Sequence, residues 1–361
     1  MKILHIISRL ETGGAQKLLS ELLPALSDCG VKADVLVFSR LDNHIEKALT
    51  EAGINIISLD IANPRSPALI PKLRKYIARY DLAHVHLFPA LYECALAACG
   101  LKTPLVYTEH STSNRRRDKK YMRLAEKLVY SAYRKIVAIS PQTEKALADW
   151  IGPSLGRRII TIENGINLEK IRDAGSASFP DGKPTILMVS RFNESKDQKT
   201  LIRALPLIDD KSIRVAFAGD GPNLEECRRE AVRRSVADRV SFLGNRTDVP
   251  QLINGALLGV QSSNWEGFGL TAVELMAAGK PVVASDVDGL KQVVDGYGLL
   301  FKAGKHEDLA RQINRLLSNE KLFAEVAEKC YRRADMFSID KMAERYALLY
   351  SQILEKQPDR S

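Results

Sequence analysis

The stretch from Asn264 to Asp286 reads NWEGFGLTAVELMAAGKPVVASD. It passes from a glycine-broken aromatic loop, through an apolar segment of helical length, to the β-branched run PVVAS. Glu266 stands just before the helical segment and Glu274 inside it. Loop, helix and short apolar strand in that order make one step of a βα repeat. The same alternation continues outward in both directions, through KILHIIS, KADVLVFS, NIISL, LAHVHLF, PLVYTEH, KIVAIS and IITIEN on the early side and TILMVSR, RVAFAGD, VSFLG and LLGVQSS nearer by. Strands and helices taking turns along the whole chain predict an α/β fold with parallel sheets covered on both faces.

With 361 residues and 45% apolar content, two domains are expected rather than one core. RDAGSASFPDGKP, residues 172–184, interrupts the periodic pattern and reads as a hinge linker. The expected domains are therefore 1–171 and 185–337. A closing helix over 338–361 carries Met342, Tyr346, Leu349 and Ile353 at helical spacing with no strand after it. No apolar run approaches the ~18 residues that span a bilayer, and the start is too quickly interrupted for a signal peptide, so a cytoplasmic protein is expected. Five cysteines without a CxxC pair read as reduced packing residues, and no metal site is expected. Asp286 and Asp288 in DVD have no second acidic cluster to help hold an ion. The net charge of +9 is lopsided: residues 1–180 hold 26 Lys+Arg against 18 Asp+Glu. An anionic partner is expected on that half.

Four loops that lead from a strand into a helix suit anions, because the first amides of a helix are unpaired. They are ETGGAQK with Gly13 and Gly14, VSRFNESKDQKT with Arg191 and Lys196, AGDGPNLEE with Gly219 and Gly221, and the opening stretch with the amides of Phe268, Gly269 and Leu270. A carboxylate facing a phosphate would be repelled, so Glu266 and Glu274 are expected to accept hydrogen bonds from ligand hydroxyls. Hydroxyls on both sides of a diphosphate describe a nucleotide sugar.

These residues resemble the GT-B glycosyltransferases of the large retaining family 4. The matching stretches are GGAQ, TEH at 108–110, AIS at 138–140, NGIN at 164–167, SRFNESKDQ at 190–198, GDGP at 219–222 and WEGFGLTAVELMAAGKPVVASD at 265–286. The resemblance implies two Rossmann-like domains facing a cleft, with the closing helix crossing back to the first. It implies that Glu266 contacts hydroxyls of the transferred sugar, Glu274 the ribose, Arg191 and Lys196 the diphosphate, and backbone at Leu243, Gly244 and Asn245 the nucleobase. His110 would reach the donor sugar from the opposite domain. Gln16 and Gln292 depart from the family, which often has Glu at both places. The implied co-substrate is a nucleotide sugar, a UDP-sugar by preference, with no cofactor and no metal.

The surplus charge concentrates in residues 113–136, with nine basic and two acidic side chains. At helical spacing Tyr121, Ala125, Leu128, Ala132 and Ile136 share an apolar face expected against the core, opposite a basic face. Arg115, Arg116, Arg117 and Lys120 are expected to grip an anionic glycolipid or polyprenyl-diphosphate acceptor at the inner face of the cytoplasmic membrane. No nucleic-acid module is recognisable. A soluble acceptor, a non-catalytic nucleotide-sugar-binding protein and an epimerase of the same fold are the alternatives.

Overall fold

The computed structural model describes residues 1–11, 13–112, 117, 119 and 121–356. The chain forms two compact units, Met1–Gly165 with Ile339–Ser361, and Ile166–Ser338. Every strand pairing in both is parallel.

In the first unit β1 (Lys2–Ile7), β2 (Lys32–Val37), β3 (Asn55–Ser58), β4 (Leu82–His86), β5 (Leu105–Glu109), β6 (Lys135–Ala138) and β7 (Ile159–Thr161) lie in the order β3-β2-β1-β4-β5-β6-β7. Strands β4 and β5 are buried at every residue, as central strands of a parallel sheet covered on both faces should be, although they carry His84, His86, Thr108 and Glu109. The Ile339–Glu355 helix packs along the Gly14–Asp28 helix of this unit. Its stripe of Met342, Tyr346, Leu349 and Ile353 is buried among Leu18, Leu19, Leu22 and Leu23, which explains an apolar face with no strand to follow it.

The basic region overturns one expectation. The Met122–Ser131 helix turns Tyr121, Leu124 and Leu128 to solvent at 74%, 79% and 75% exposure, and Ala125 and Ala132 are exposed too. Its buried face holds Glu126 and Tyr130 instead. The reason is polar: Glu126 accepts from Tyr92 Oη and from Trp150 Nε1, each at 2.6 Å, and Tyr130 Oη donates to Glu109 at 3.1 Å. Two charge-assisted hydrogen bonds make burial of the carboxylate favourable, and that rotates the apolar side outward.

In the second unit β8 (Thr185–Val189), β9 (Arg214–Ala218), β10 (Val240–Phe242), β11 (Leu258–Gln261), β12 (Val282–Ser285) and β13 (Leu299–Phe301) follow the order β10-β9-β8-β11-β12-β13. The division between units falls at Gly165 and Ile166, ahead of residues 172–184. That compositional break is fastened to the second unit: Phe179 is buried, Asn254 Nδ2 donates to Ala174 O at 2.8 Å, and Ala177 N donates to Gln251 O at 3.0 Å.

Glu230, buried on the Leu224–Arg233 helix, accepts from Arg203 at 2.7 Å, Arg234 at 3.2 Å and Arg233. Burial alone would raise its carboxyl, but the three guanidinium hydrogen bonds outweigh it and hold the pKa at about 2. A depressed folded pKa contributes stability that is present above the unfolded value near 4.3 and is lost as pH falls through 2. Glu230→Gln should therefore destabilise at pH 7, and the gap from wild type should close in urea melts taken between pH 4.5 and 2. A gap independent of pH would refute the linkage.

Candidate active site

Each sheet reverses its strand order once, between β1 and β4 in the first unit and between β8 and β11 in the second. Open parallel sheets take ligands beyond the carboxyl ends of the strands at such a reversal. Of the predicted residues, Gly13 and Gly14 follow β1, Arg191 and Lys196 follow β8, and Glu266 with Phe268, Gly269 and Leu270 follow β11.

In the second unit Arg191 and Lys196 lie in the loop after β8, and Glu266 lies in the loop after β11. Lys196 Nζ donates to Glu266 Oε2, and Ser263 Oγ donates to the same oxygen at 3.4 Å. The two charged side chains remain 21% and 19% exposed, so the pair is reached by solvent. Arg191 is exposed, and its side chain pairs with none of the described residues. The loops are lashed together by Asn264 N to Ser195 O at 2.8 Å, Asn264 Nδ2 to Glu194 O at 2.8 Å and Ser262 Oγ to Asp197 O at 2.9 Å. Gln198, buried and not singled out from sequence, donates to Ser190 Oγ at 3.0 Å and Arg191 O at 2.9 Å. It sets the course of the basic loop from behind.

The Leu270–Ala277 helix begins from Gly269 in the left-handed region at φ 94°, and no side chain caps it. Its positive end therefore stays open to an anion beside the Lys196–Glu266 pair. Phe268 is buried edge-on against Phe337, centroids 5.4 Å apart, which anchors the turn. Glu274 is buried on the same helix, a little over one turn from its start.

Backbone proximity explains the nearby glycines. Gly219 and Gly221 sit at φ 137° and 153°, and a Cβ would stand 2.1 Å from Ser190 O and 2.3 Å from Phe192 O. The loops after β8 and β9 touch through these two residues, so GDGP shapes the basic loop. Gly289 was not identified from sequence as a site residue. Its Cβ would fall 2.4 Å from Glu266 O, so the loop after β12 supports Glu266 from below. The DG that follows DV was the available signal; Asp286 itself pairs with Lys291 at 2.9 Å. Beyond β10, Leu243 N donates to Phe217 O at 2.8 Å and Gly244 O accepts from Gly219 N at 2.7 Å. A nucleobase would have to use the other groups of the Leu243–Asn245 turn, where Asn245 is exposed.

In the first unit Gly13 caps the Gly14–Asp28 helix with extended backbone and no side-chain hydrogen bond. Gln16, where the family often has Glu, folds its amide back over Gly13. His110 follows β5, and its Nε2 lies 3.3 Å from His86 Nδ1. Burial lowers its pKa to about 4, so the ring is neutral at pH 7. Arg117 donates to Glu109 at 2.9 Å and to Thr112 O at 3.1 Å, with its side chain one-tenth exposed. The expected acceptor grip at this position is thus taken up by an internal ion pair. Arg115, Arg116 and Lys120 lie outside the described residues.

One grouping has no counterpart among the expected site residues. His5, His84 and His86 are fully buried together, with candidate ligand nitrogens within 4.8 Å of one another. The HVH in LAHVHLF was the signal, since period-two spacing puts both rings on one face of a strand.

Two parallel-sheet α/β units with anion-suited turns at their strand-order reversals make up the GT-B fold. Residues 12–170 match the family described as Glycosyltransferase Family 4, and residues 169–335 match that described as Glycosyl transferases group 1. The chain belongs to this glycosyltransferase family. The GDP-mannose:cellobiosyl-diphosphopolyprenol alpha-mannosyltransferase of Komagataeibacter xylinus is 27% identical over 98% of this chain and 94% of the relative. The phosphatidyl-myo-inositol mannosyltransferase of Mycobacterium leprae is 28% identical over 86% of this chain and 85% of the relative. The crystal structure of Anabaena HepE in complex with UDP and glucose superposes with a TM-score of 0.86, at 24% identity, over 98% of this chain and 100% of that one; at this identity it speaks for the fold.

Proposed function

We propose that this chain is a retaining glycosyltransferase that moves a sugar from a nucleoside diphosphate sugar, a UDP-sugar by preference, to a membrane-associated, lipid-linked glycan acceptor in envelope polysaccharide or glycan synthesis. The Lys196–Glu266 pair in front of the uncapped Leu270 helix carries the reading. An ammonium has three N–H donors, so Lys196 can hold the glutamate and still donate to a diphosphate. Glu266 then accepts from hydroxyls of the transferred sugar and Glu274 from the ribose. His110 donates to the sugar.

When the donor reacts, the bond from the anomeric carbon to the phosphate oxygen breaks and its electron pair stays on that oxygen. Arg191, Lys196 and the helix amides stabilise this charge without a metal, the kind of preorganised donor set that supplies the largest single term in many enzymes. The acceptor hydroxyl attacks from the leaving-group side, the new bond forms with retention, and its proton passes to the phosphate oxygen. Titrating the protein with a panel of UDP- and GDP-sugars should raise its melting temperature for the true donor, by about 2.7 kcal/mol of added stability at a hundredfold excess over Kd, and transfer should survive EDTA. No response to any donor would sink the proposal.

A lipid-linked acceptor is supported by the activities that the relatives' names carry and by the outward apolar face of Tyr121, Leu124 and Leu128, joined by exposed Leu96. Lys119 is exposed just ahead of that helix, and Arg134 lines a surface cavity together with Leu96 and Leu128. No helix among the described residues is long and apolar enough to cross a membrane, so the contact would be peripheral, at the inner leaflet. Each Lys or Arg near an acidic leaflet contributes roughly 1 kcal/mol. The wild type should float with anionic liposomes at low salt, and Leu124→Glu with Leu128→Glu should abolish that. Equal flotation of both proteins would remove the membrane contact and leave a soluble acceptor.

A further inference from the structure

The three buried histidines connect to His110. His5 of β1 stands opposite His84 of β4 in the sheet register, and His86 follows on the same face. His5 Nδ1 is 3.0 Å from His86 Nε2, and His86 Nδ1 is 3.3 Å from His110 Nε2. Three rings thus form a chain that runs from the floor of the sheet to the candidate site. His84 stands beside the chain, not in it: its Nδ1 meets Tyr350 Oη at 2.6 Å and its Nε2 meets Thr108 Oγ1 at 2.7 Å.

Burial pushes His5 down to about 3 and His110 to about 4, with His86 also well below its ordinary value. Each ring is therefore neutral and carries one proton. Three protons and two gaps leave only two arrangements that make both hydrogen bonds. In the first, all three rings are protonated on Nδ1, and the far end of the chain is a bare lone pair on His5 Nε2. In the second, all three are protonated on Nε2, and the far end is a His5 Nε2–H. His5 Nε2 is buried and has no partner among the described residues. Among backbone groups an orphaned N–H is rarer than an under-satisfied acceptor, and the same ordering applied to His5 Nε2 favours the bare lone pair.

We infer that the buried end of this chain sets the tautomer of His110: His5 Nδ1–H donates to His86 Nε2, His86 Nδ1–H donates to His110 Nε2, and His110 holds its own proton on Nδ1. His5 and His86 are then positioning residues that turn His110 into a fixed hydrogen-bond donor. That the donor meets the sugar rests on the proposed function; the tautomer does not. A buried cation held by His5, His84 and His86 is the rival reading, but it would have to displace Tyr350, Thr108 and the His5–His86 hydrogen bond.

The test is long-range ¹H–¹⁵N correlation on the full chain labelled with ¹⁵N-histidine at neutral pH, with signals assigned by single His→Gln variants. His5, His86 and His110 should all give the Nδ1–H pattern, and zinc chloride should leave it unchanged. His5→Asn places an amide N–H where Nδ1–H stood and should preserve the His110 tautomer. His5→Phe removes the donor and the asymmetry, and an Nε2–H population should appear at His110. A wild-type His110 protonated on Nε2, a zinc-dependent shift of these signals, or an unchanged His110 in folded His5→Phe would each overturn the inference. If His5→Phe does not fold, the wild-type and His5→Asn spectra still decide. The predicted tautomer in a protein that binds no nucleotide sugar would uphold the chain and reject only the functional reading.

Discussion

Lys196→Ala should lower kcat by about 10²- to 10³-fold, the loss typical of removing one donor to a developing oxyanion. The effect should fall on turnover more than on KM, because the charge on the leaving phosphate oxygen grows only as the bond breaks. Stability should hardly change: the pair with Glu266 is partly exposed, and such pairs contribute about 0–1 kcal/mol. Lys196→Arg should rescue poorly, since a planar guanidinium on a different stem cannot hold Glu266 and a phosphate as a compact ammonium does. Arg191→Ala should behave like Lys196→Ala. Single-turnover rates would check both, and unchanged rates in both variants would end the leaving-group assignment.

The largest loss of stability is expected at Gly219. Alanine there would put its Cβ 2.1 Å from Ser190 O while holding φ at 137°. Positive-φ strain costs about 1–3 kcal/mol, and forced overpacking a further 1–3 kcal/mol, so a loss of about 3 kcal/mol or more is expected in urea unfolding. Gly221→Ala should be comparable, with its clash on Phe192 O. Gly244 is the comparison: it too has positive φ, at 66°, but a Cβ would meet open space. Gly244→Ala should cost only the left-handed backbone term of about 1–2 kcal/mol. Equal losses at Gly219 and Gly244 would show that loop contact is not what these glycines serve.

Much of this architecture is legible in the amino-acid order. The short apolar runs between helical segments correspond to β1 through β12, and only β13, the three-residue LLF, passes without notice. The runs stand out because a strand buried on both faces is mostly apolar. Glu266, Lys196 and the glycines of the second unit were legible because the sheet topology puts every loop after a strand at the same end, so short motifs far apart in sequence converge without further information. The residues overlooked were those that act from behind: Gln198, which orients the basic loop, and Gly289, which supports Glu266. Their partners lie on other loops, and nothing in the spacing of one chain names a partner.

The Met122–Ser131 helix shows where periodicity stops being enough. Of the five positions grouped as one apolar face, Tyr121, Ala125, Leu128 and Ala132 face solvent, while Glu126 is held inside by hydrogen bonds from Tyr92 and Trp150; Ile136 is buried, but in β6 and not on this helix. Hydrophobic spacing states which side chains travel together on a helix; the neighbours decide which way they point. The histidine chain is the same case at higher stakes. Local sequence places an imidazole at 5, 84, 86 and 110, and strand periodicity aligns them, but each proton's position depends on a contact made across strands and on one nitrogen that finds no partner. The amino-acid order alone determined the two-unit parallel-sheet fold and the anion-suited loops, because those follow from short-range periodicity and backbone geometry. Only the tertiary structure decided orientation, pairing and protonation, because these are set by burial and by partners up to hundreds of residues away.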